Sequence, residues 1–522
     1  MYPAAVEGRA PDLVRQRPSV LCPAGFEQVV NANPGQCMPD LHLDDVVAAV
    51  VGRTDDFQRS VWYTPCTELQ VVEYRQAVVT ELIRPDFRRV TWAFVEGMAH
   101  ERQSVNAANK LQYPLPADLG RAESIARFVA MVSETAEGLL GLEPRSAGLQ
   151  EMTRSLVDYT HSHEFGQLAR GIGEVLSEVH SLQFELGTQS GTVWVGPVPD
   201  RQLWVEAIRT TFGRFRTGEA PAVAIPQRPQ RYINHLESDV LNLVEREFPE
   251  AVGRLRDFVT IHADFLPTRL EVLGQELRFY LDYLRELDRL DTDGVAFCLP
   301  RLQTGSAGPV RIKGMVDLTL ALGRKANREQ LIPNDLVMAG SERVAFITGP
   351  NQGGKTTFAR AAGQLAYIAS LGLPVPAGSA SLPLLQPVLS HFPQPDDPEH
   401  ERGGLADEMV RLHRVVQAAG ANSLLILNEL FSATSAEDAV GLSALMLDRF
   451  DNLGCRVLWV TFLEDLVISA PKALSLVGQV DPAEPTRPTF KFRAQPPANR
   501  SHAVALAARH GLSSADLETR LP

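Results

Sequence analysis

The spacing of apolar positions changes character along the chain. From Leu41 onward, apolar residues recur every three or four positions, which is the repeat of one buried helix face. Leu43–Val51 reads as such a helix, and Val71, Val72, Tyr74, Val78, Val79 and Leu82 mark a second that starts near Glu68, with Thr67 placed to cap it. Ile125, Phe128, Val129, Val132 and Leu139 mark a third, and Leu270, Leu273, Leu277, Leu281, Leu284 and Leu287 a long fourth. Stripes of this kind read as core. After residue 302 short apolar runs take over: Val344, Phe346 and Ile347, then Ser423–Leu427, then Arg456–Thr461, each predicting a strand. Ser501–Leu521 predicts two helices split by Gly511, with Ser513 and Asp516 as a capping box. Residues 1 to about 40 are rich in Pro, Gly, Ala and Asn, show no sustained period, and read as a mostly extended arm.

Length and composition narrow this picture. The 522 residues are enough for roughly two to four domains, and 44% hydrophobic with 22% charged residues is an ordinary globular balance. The five cysteines, Cys22, Cys37, Cys66, Cys298 and Cys455, are odd in number, scattered and without a C-x-x-C pair. That argues against a disulfide framework or a zinc site, and makes a reducing cytoplasm the expected location. The first residues contain no apolar signal core, and no apolar run reaches about 18 residues, so neither secretion nor a membrane span is expected. A net charge of −13 disfavours non-specific nucleic-acid binding by the whole protein while allowing a local basic surface. Residues 201–231 supply one: six arginines (Arg201, Arg209, Arg214, Arg216, Arg228, Arg231) against Glu206 and Glu219, a local net of +4 with Trp204, Phe212 and Phe215 interleaved. Such a stretch fits DNA-backbone contact, with Arg209, Arg214 and Arg216 as candidates, and equally fits a solvated basic loop.

The chemistry concentrates in VAFITGPNQGGKTTFAR, residues 344–360. Gly349, Gly354, Lys355 and Thr356 fit the phosphate-loop pattern G-x-x-x-x-G-K-[ST], directly after a β-type run and directly before a helical pattern. Glycines at 349, 353 and 354 let the backbone turn around an anion so that N–H groups and a helix N-terminus face phosphate oxygens. Lys355 adds a full positive charge, and the Thr356 hydroxyl is placed to ligate Mg²⁺. The predicted nucleotide contacts are Gly349, Pro350, Asn351, Gln352, Gly353, Gly354, Lys355, Thr356 and Thr357, with ATP and Mg²⁺ as cofactors.

The stretch GPNQGGKTTFAR resembles the GPN-x-GGK-[ST]-T signature of the MutS family of DNA mismatch repair ATPases, a branch of the ABC-type fold. Further resemblances are the Leu331–Asp335 segment, LAYIASLGLPVPA at 365–377, the Ser432–Asp438 loop, the Pro65–Glu68 turn leading to Arg75, and the Cys298–Arg301 junction. The resemblance implies a multidomain chain: an N-terminal arm over 1–40, a mostly α-helical core and lever domain over 41–301 with 201–231 as a clamp-like DNA-contacting tip, and an α/β P-loop NTPase domain over 302–522. It further implies that the terminal helical pair serves homodimerisation. The family's mismatch-reading domain uses an F-x-E motif; Phe26 and Glu27 are adjacent here, and that domain and the connector domain are expected to be absent. Ser423–Leu427 followed by Asn428 and Glu429 corresponds to the strand that delivers the acids beside the phosphates. Glu429 is the expected catalytic carboxylate, orienting or deprotonating the attacking water.

Three positions depart from the family pattern. Asn428 stands where an aspartate is expected, so its contact to Mg²⁺ through water is neutral. Phe462 stands where a switch histidine is expected, and Gly403 where a partner subunit would offer a serine. The expectation is therefore an ATP-binding, slowly hydrolysing MutS-like enzyme acting as a nucleotide-gated dimeric clamp on DNA, without mismatch reading of its own. The alternative is an ATP-gated protein-binding scaffold with little or no hydrolysis.

Overall fold

The structure, a computed structural model, describes residues 19–26, 31, 33–52, 55–111, 113–189, 192–197, 235–292, 294–323, 331–393, 404–484 and 487–496. The basic stretch 201–231, Gly403 and the predicted pair over Ser501–Leu521 lie outside these residues. The helices in chain order are α1 (Cys37–Asp40), α2 (Leu43–Val51), α3 (Asp56–Trp62), α4 (Leu69–Leu82), α5 (Pro85–Ala108), α6 (Pro114–Leu142), α7 (Ala147–Thr160), α8 (His163–Ser181), α9 (His235–Glu247), α10 (Pro249–Ile261) and α11 (Thr268–Thr292). They are followed by α12 (Leu318–Gly323), α13 (Lys355–Ser370), α14 (Gly404–Ala418), α15 (Ala436–Leu453) and α16 (Glu464–Ser469). A hairpin, β1 (Phe184–Gln189) with β2 (Thr192–Pro197), interrupts the first set. The remaining strands are β3 (Arg301–Gln303), β4 (Val310–Met315), β5 (Asn334–Met338), β6 (Val344–Thr348), β7 (Ser379–Pro383), β8 (Val388–His391), β9 (Leu424–Asn428), β10 (Arg456–Val460), β11 (Leu474–Val480) and β12 (Pro488–Ala494). The N-terminal part is thus helical and the C-terminal part mixed α/β.

Contacts divide the chain into two compact units. One comprises Met1–Arg88, Pro144–Met152 and Gln275–Pro522; the other comprises Arg89–Glu143 and Thr153–Gly274. The unit that holds the sheets thus also holds Met1–Arg88. The second unit is helical, with α6, α8 and α10 mutually packed. Of its predicted stripe, Ile125, Phe128, Val132 and Leu139 are buried, and Val129 is only partly so.

In the first unit a six-stranded sheet runs in the order β12-β11-β6-β10-β9-β8. Its β8, β9, β10, β6 and β11 are parallel and only β12 is antiparallel. Every residue of β6, β9 and β10 is buried, as strands covered on both faces must be, which is why they read as continuous apolar runs. A second sheet of four strands, β3-β7-β4-β5, joins them. Helix α13 starts from the end of β6 and is buried at all positions except Thr356, Thr357 and Arg360. Gly363 makes this possible: a Cβ there would come within 2.8 Å of Leu41 Cδ2 and 3.2 Å of Ile426 Cγ1.

Helix α4 covers the other end of α13. Arg75, 4% exposed, donates to the carbonyls of Leu21 and Leu371, and Cys66 N–H donates to Ser370 O at 3.1 Å. Gly372 at φ 79° is needed at this crossing because a Cβ would lie 2.5 Å from Arg75 Cβ. The predicted cap of α4 differs: Glu68, not Thr67, occupies the N-cap position, and no side chain caps the helix. The N-terminal arm is also more structured than an extended strap, since Cys37–Asp40 form the helical turn α1 and Val20 and Leu21 are fully buried.

That buried strap hangs on Glu276. Its carboxyl accepts from Ser19 Oγ at 3.0 Å and Val20 N at 2.8 Å, while Tyr74 and Tyr280 donate to the carbonyls of Ser19 and Val20. Burial pushes the Glu276 carboxyl up to about 7, against the opposing pull of these hydrogen bonds and of Arg75. The folded state therefore holds a proton that the unfolded chain has lost above about pH 4.5, and stability falls as pH rises toward 7. Glu276→Gln is expected to remove a loss of about 3 kcal/mol across that window relative to wild type. Urea unfolding of both proteins between about pH 4.5 and 8 checks this; parallel curves would refute it.

Candidate functional site

The loop between β6 and α13 is built on glycines whose side chains could not fit. Gly349 has φ 134°, and a Cβ there would stand 3.0 Å from the backbone N and Cα of Gly478 on β11. Gly353 would put one 2.9 Å from Pro350 O, and Gly354, the N-cap of α13, has φ 84°. Gln352 also takes a left-handed conformation, at φ 59°. The result is a tight turn that delivers the N-terminus of α13 and Lys355 to a cleft of about 830 Å³.

Asn351, Gln352, Gly354, Lys355, Thr356 and Thr357 line that cleft, as the motif predicts. Lys355 is 5% exposed, and its Nζ donates to the carbonyls of Gly349 at 3.2 Å and Pro350 at 3.0 Å. Burial depresses its pKa, and Glu429 partly restores it. The reciprocal holds for Glu429: burial raises its carboxyl, and Lys355 lowers it. Glu429 follows β9 at φ 51°, with its N–H donating to Val460 O at 2.9 Å, and its side chain enters the same cleft. A carboxyl raised by burial beside a buried cation has the chemistry of a proton acceptor.

Asn428, predicted to follow the strand, is its last residue, and its Oδ1 accepts from Thr356 Oγ1 at 3.2 Å. Two oxygen atoms thus meet beside the loop, with no full negative charge between them. Oxygen donors suit a hard cation such as Mg²⁺, and the neutrality of this pair makes the fit a weak one.

The far wall of the cleft comes from residues outside the loop motif. Phe490 on β12, at φ 57°, brings its ring against Gly354, 3.3 Å from where a Cβ would be, and Met315, Leu320, Leu331 and Ile332 extend the apolar side. Nothing in the local pattern around Phe490 distinguishes it from a strand residue. Phe462 is better placed than its departure from the family pattern implied. Half-exposed at the mouth of the cleft, its ring centroid lies 4.6 Å from Lys355 Nζ, a cation–π distance. Arg209, Arg214, Arg216 and Gly403 lie outside the described residues.

Substituting the first loop glycine should strain the backbone whatever the ligand. Gly349→Ala is expected to cost about 1–3 kcal/mol of stability, whereas Gly441→Ala, in open space on α15, should stabilise by roughly 0.5–1 kcal/mol. Denaturant unfolding of the two variants beside wild type decides this, and equal effects would remove the steric argument.

Comparison with known proteins agrees with this geometry. The family described as MutS domain V matches residues 345–510, from β6 past β12. A DNA mismatch repair protein MutS of Streptococcus suis is 24% identical over 499 residues, 86% of this chain and 56% of the relative. One from Lactobacillus delbrueckii subsp. bulgaricus is 25% identical over 415 residues, covering 72% of this chain and 46% of the relative. An endonuclease MutS2 of Pelotomaculum thermopropionicum is 27% identical over 273 residues, 51% of this chain and 32% of the relative. The chain thus spans from about a third to just over half the length of these relatives. A glycine-built loop after β6, with Asn428 ending β9 and Glu429 following it, lies within the stretch that matches MutS domain V, and the similarity to MutS proteins extends through the helical part of the chain.

Proposed function

We propose that this chain is a MutS-like ATPase that binds ATP at 349–357, hydrolyses it slowly, and uses the nucleotide to gate a homodimeric clamp on DNA. The observation that carries the reading is the convergence of Lys355, Thr356 and Glu429 in a single cleft, with Asn428 bonded to Thr356. In it the loop N–H groups and the α13 N-terminus receive the phosphates. Lys355 exchanges its bonds to the Gly349 and Pro350 carbonyls for phosphate oxygens, and Glu429 orients the attacking water and takes up its proton. Mg²⁺, held by Thr356 and through water by Asn428, would neutralise phosphate charge. The reading assigns no mismatch-reading role to these residues. It divides the chain functionally into an arm at 1–40, a lever with its DNA-contacting tip at 201–231 within 41–301, and an ATPase part at 302–522, in a cytoplasmic protein.

One observation favours a second reading. Phe462 holds the Lys355 ammonium against its ring, so phosphate must compete for that charge, and Asn428 attracts the hydrated cation less than a carboxylate would. An ATP-gated protein scaffold with little hydrolysis would need no more than this.

The two readings separate in one set of measurements. Lys355→Ala is expected to abolish ATP binding, and Glu429→Gln to bind ATP with wild-type affinity while losing about 10²-fold or more in turnover. Asn428→Asp should lower the Mg²⁺ concentration needed for half-maximal turnover. Wild-type affinity in Lys355→Ala would sink the site; unchanged turnover in Glu429→Gln would leave the scaffold.

The DNA part is tested separately. Replacing Arg209, Arg214 and Arg216 together with alanine is expected to weaken duplex binding and to lower the slope of log affinity against log salt by about one unit per lost phosphate contact. An unchanged slope would return these residues to an ordinary surface loop.

A further inference from the structure

Glu429 and Phe431 both adopt left-handed backbone conformations, at φ 51° and 62°. Neither is glycine, so this turn does not hold itself. Glu429 N–H is fixed on one side by Val460 O on β10. On the other side Phe431 N–H donates, fully buried, to Glu408 Oε1 at 2.7 Å. Glu408 sits on α14 and is 8% exposed, so protein groups supply most of what its carboxylate needs.

Three titratable or charged groups lie on this side of Glu408. His391, the last residue of β8 and 3% exposed, places Nε2 3.6 Å from the same Oε1, and protonation of the ring would make this an ion pair. Arg411, one turn along α14, adds positive charge and donates to Phe392 O at 3.1 Å. Asp40 on α1 faces this side through Ser390, whose hydroxyl it accepts at 2.7 Å. Burial works against the charge, but His391, the Phe431 N–H and Arg411 outweigh it and hold the Glu408 pKa below the ordinary carboxylate value. An ionised acceptor makes the stronger bond to a backbone N–H.

We propose that Glu408 is a positioning residue for Glu429: through its bond to Phe431 N–H it holds the turn Glu429–Leu430–Phe431 so that the Glu429 carboxyl faces Lys355. Leu430 and Phe431 are anchored in the core beneath, and the turn connects that core to the cleft. Without the acceptor on α14, the left-handed residues relax and the Glu429 carboxyl leaves its place, while the loop 349–354 and Lys355 keep theirs. The proposal rests on the reading of Glu429 as the water-orienting carboxylate.

The test uses the full chain, with ATP turnover, affinity for a fluorescent ATP analogue, and backbone amide exchange followed together. Glu408→Leu is expected to lower kcat by about 10- to 100-fold, the scale of an ångström misplacement, with analogue affinity retained and faster exchange at 429–431 but not at 344–348. Glu408→Gln keeps an acceptor oxygen and is expected to fall between wild type and Glu408→Leu. Should Glu408→Leu not fold, Glu408→Gln decides the matter through the same split of turnover from affinity. Faster exchange with unchanged kcat would overturn the proposal while leaving the site intact, and so would a Glu408→Gln variant as impaired as Glu408→Leu. Turnover and affinity falling together would reduce Glu408 to a structural role. A wild-type protein without ATP turnover would show instead that the reading of the site has failed, which these outcomes keep distinct.

Discussion

A backbone turn can present bare N–H groups to an anion only if the helix it opens cannot move, and here that constraint is met by burying α13 almost completely. The helix is made of alanines, Gly363 and a few large residues, so it can lie close to β9 on one side and to Leu41 on the other. Its polar groups are used to tie it down. Gln364 donates to Leu41 O at 2.9 Å and accepts from Leu318 N at 2.8 Å, Arg360 pairs with Asp317 at 2.5 Å, and Tyr367 donates to Trp62 O at 2.8 Å. Removing one such buried partner would strand the other, at a cost of about 1–3 kcal/mol. The N-terminal residues therefore belong to the framework of the cleft although they stand some three hundred residues away in sequence.

The electrostatics of the cleft follow from the same burial. Desolvation works against both Lys355 and Glu429, and each relieves the other. A cation held by carbonyls and an aromatic ring is stable without a bound anion and still exchangeable, because neither partner carries a full charge. Phe462 and Asn428 both place a neutral group beside Lys355 and Thr356, which leaves less fixed charge there.

Much of this was legible in the sequence, for a physical reason. The loop glycines are required by contacts within a few residues or by their own φ, and a strand buried on both faces has to be a continuous apolar run, so β6, β9 and β10 appear where Val344, Leu424 and Arg456 begin them. The Leu270 to Leu287 stripe of α11 is likewise buried throughout, since helix periodicity records which face meets the core. Thr67 misled because a capping residue is chosen by the backbone angle at the helix start, and that angle is set by how α4 meets α13.

What only the tertiary structure decided are the pairings between distant segments. Phe490 reaches the cleft because β12 closes the edge of the sheet beside β11, and Phe462 meets Lys355 because β10 lies next to β6. Glu276 holds Ser19 and Val20 across more than 250 positions, and Glu408 meets Phe431 because α14 and the turn after β9 share a core. A sequence records the period of each element and the glycines its turns demand. It does not record which elements become neighbours, because that choice is made by the summed burial of all of them at once.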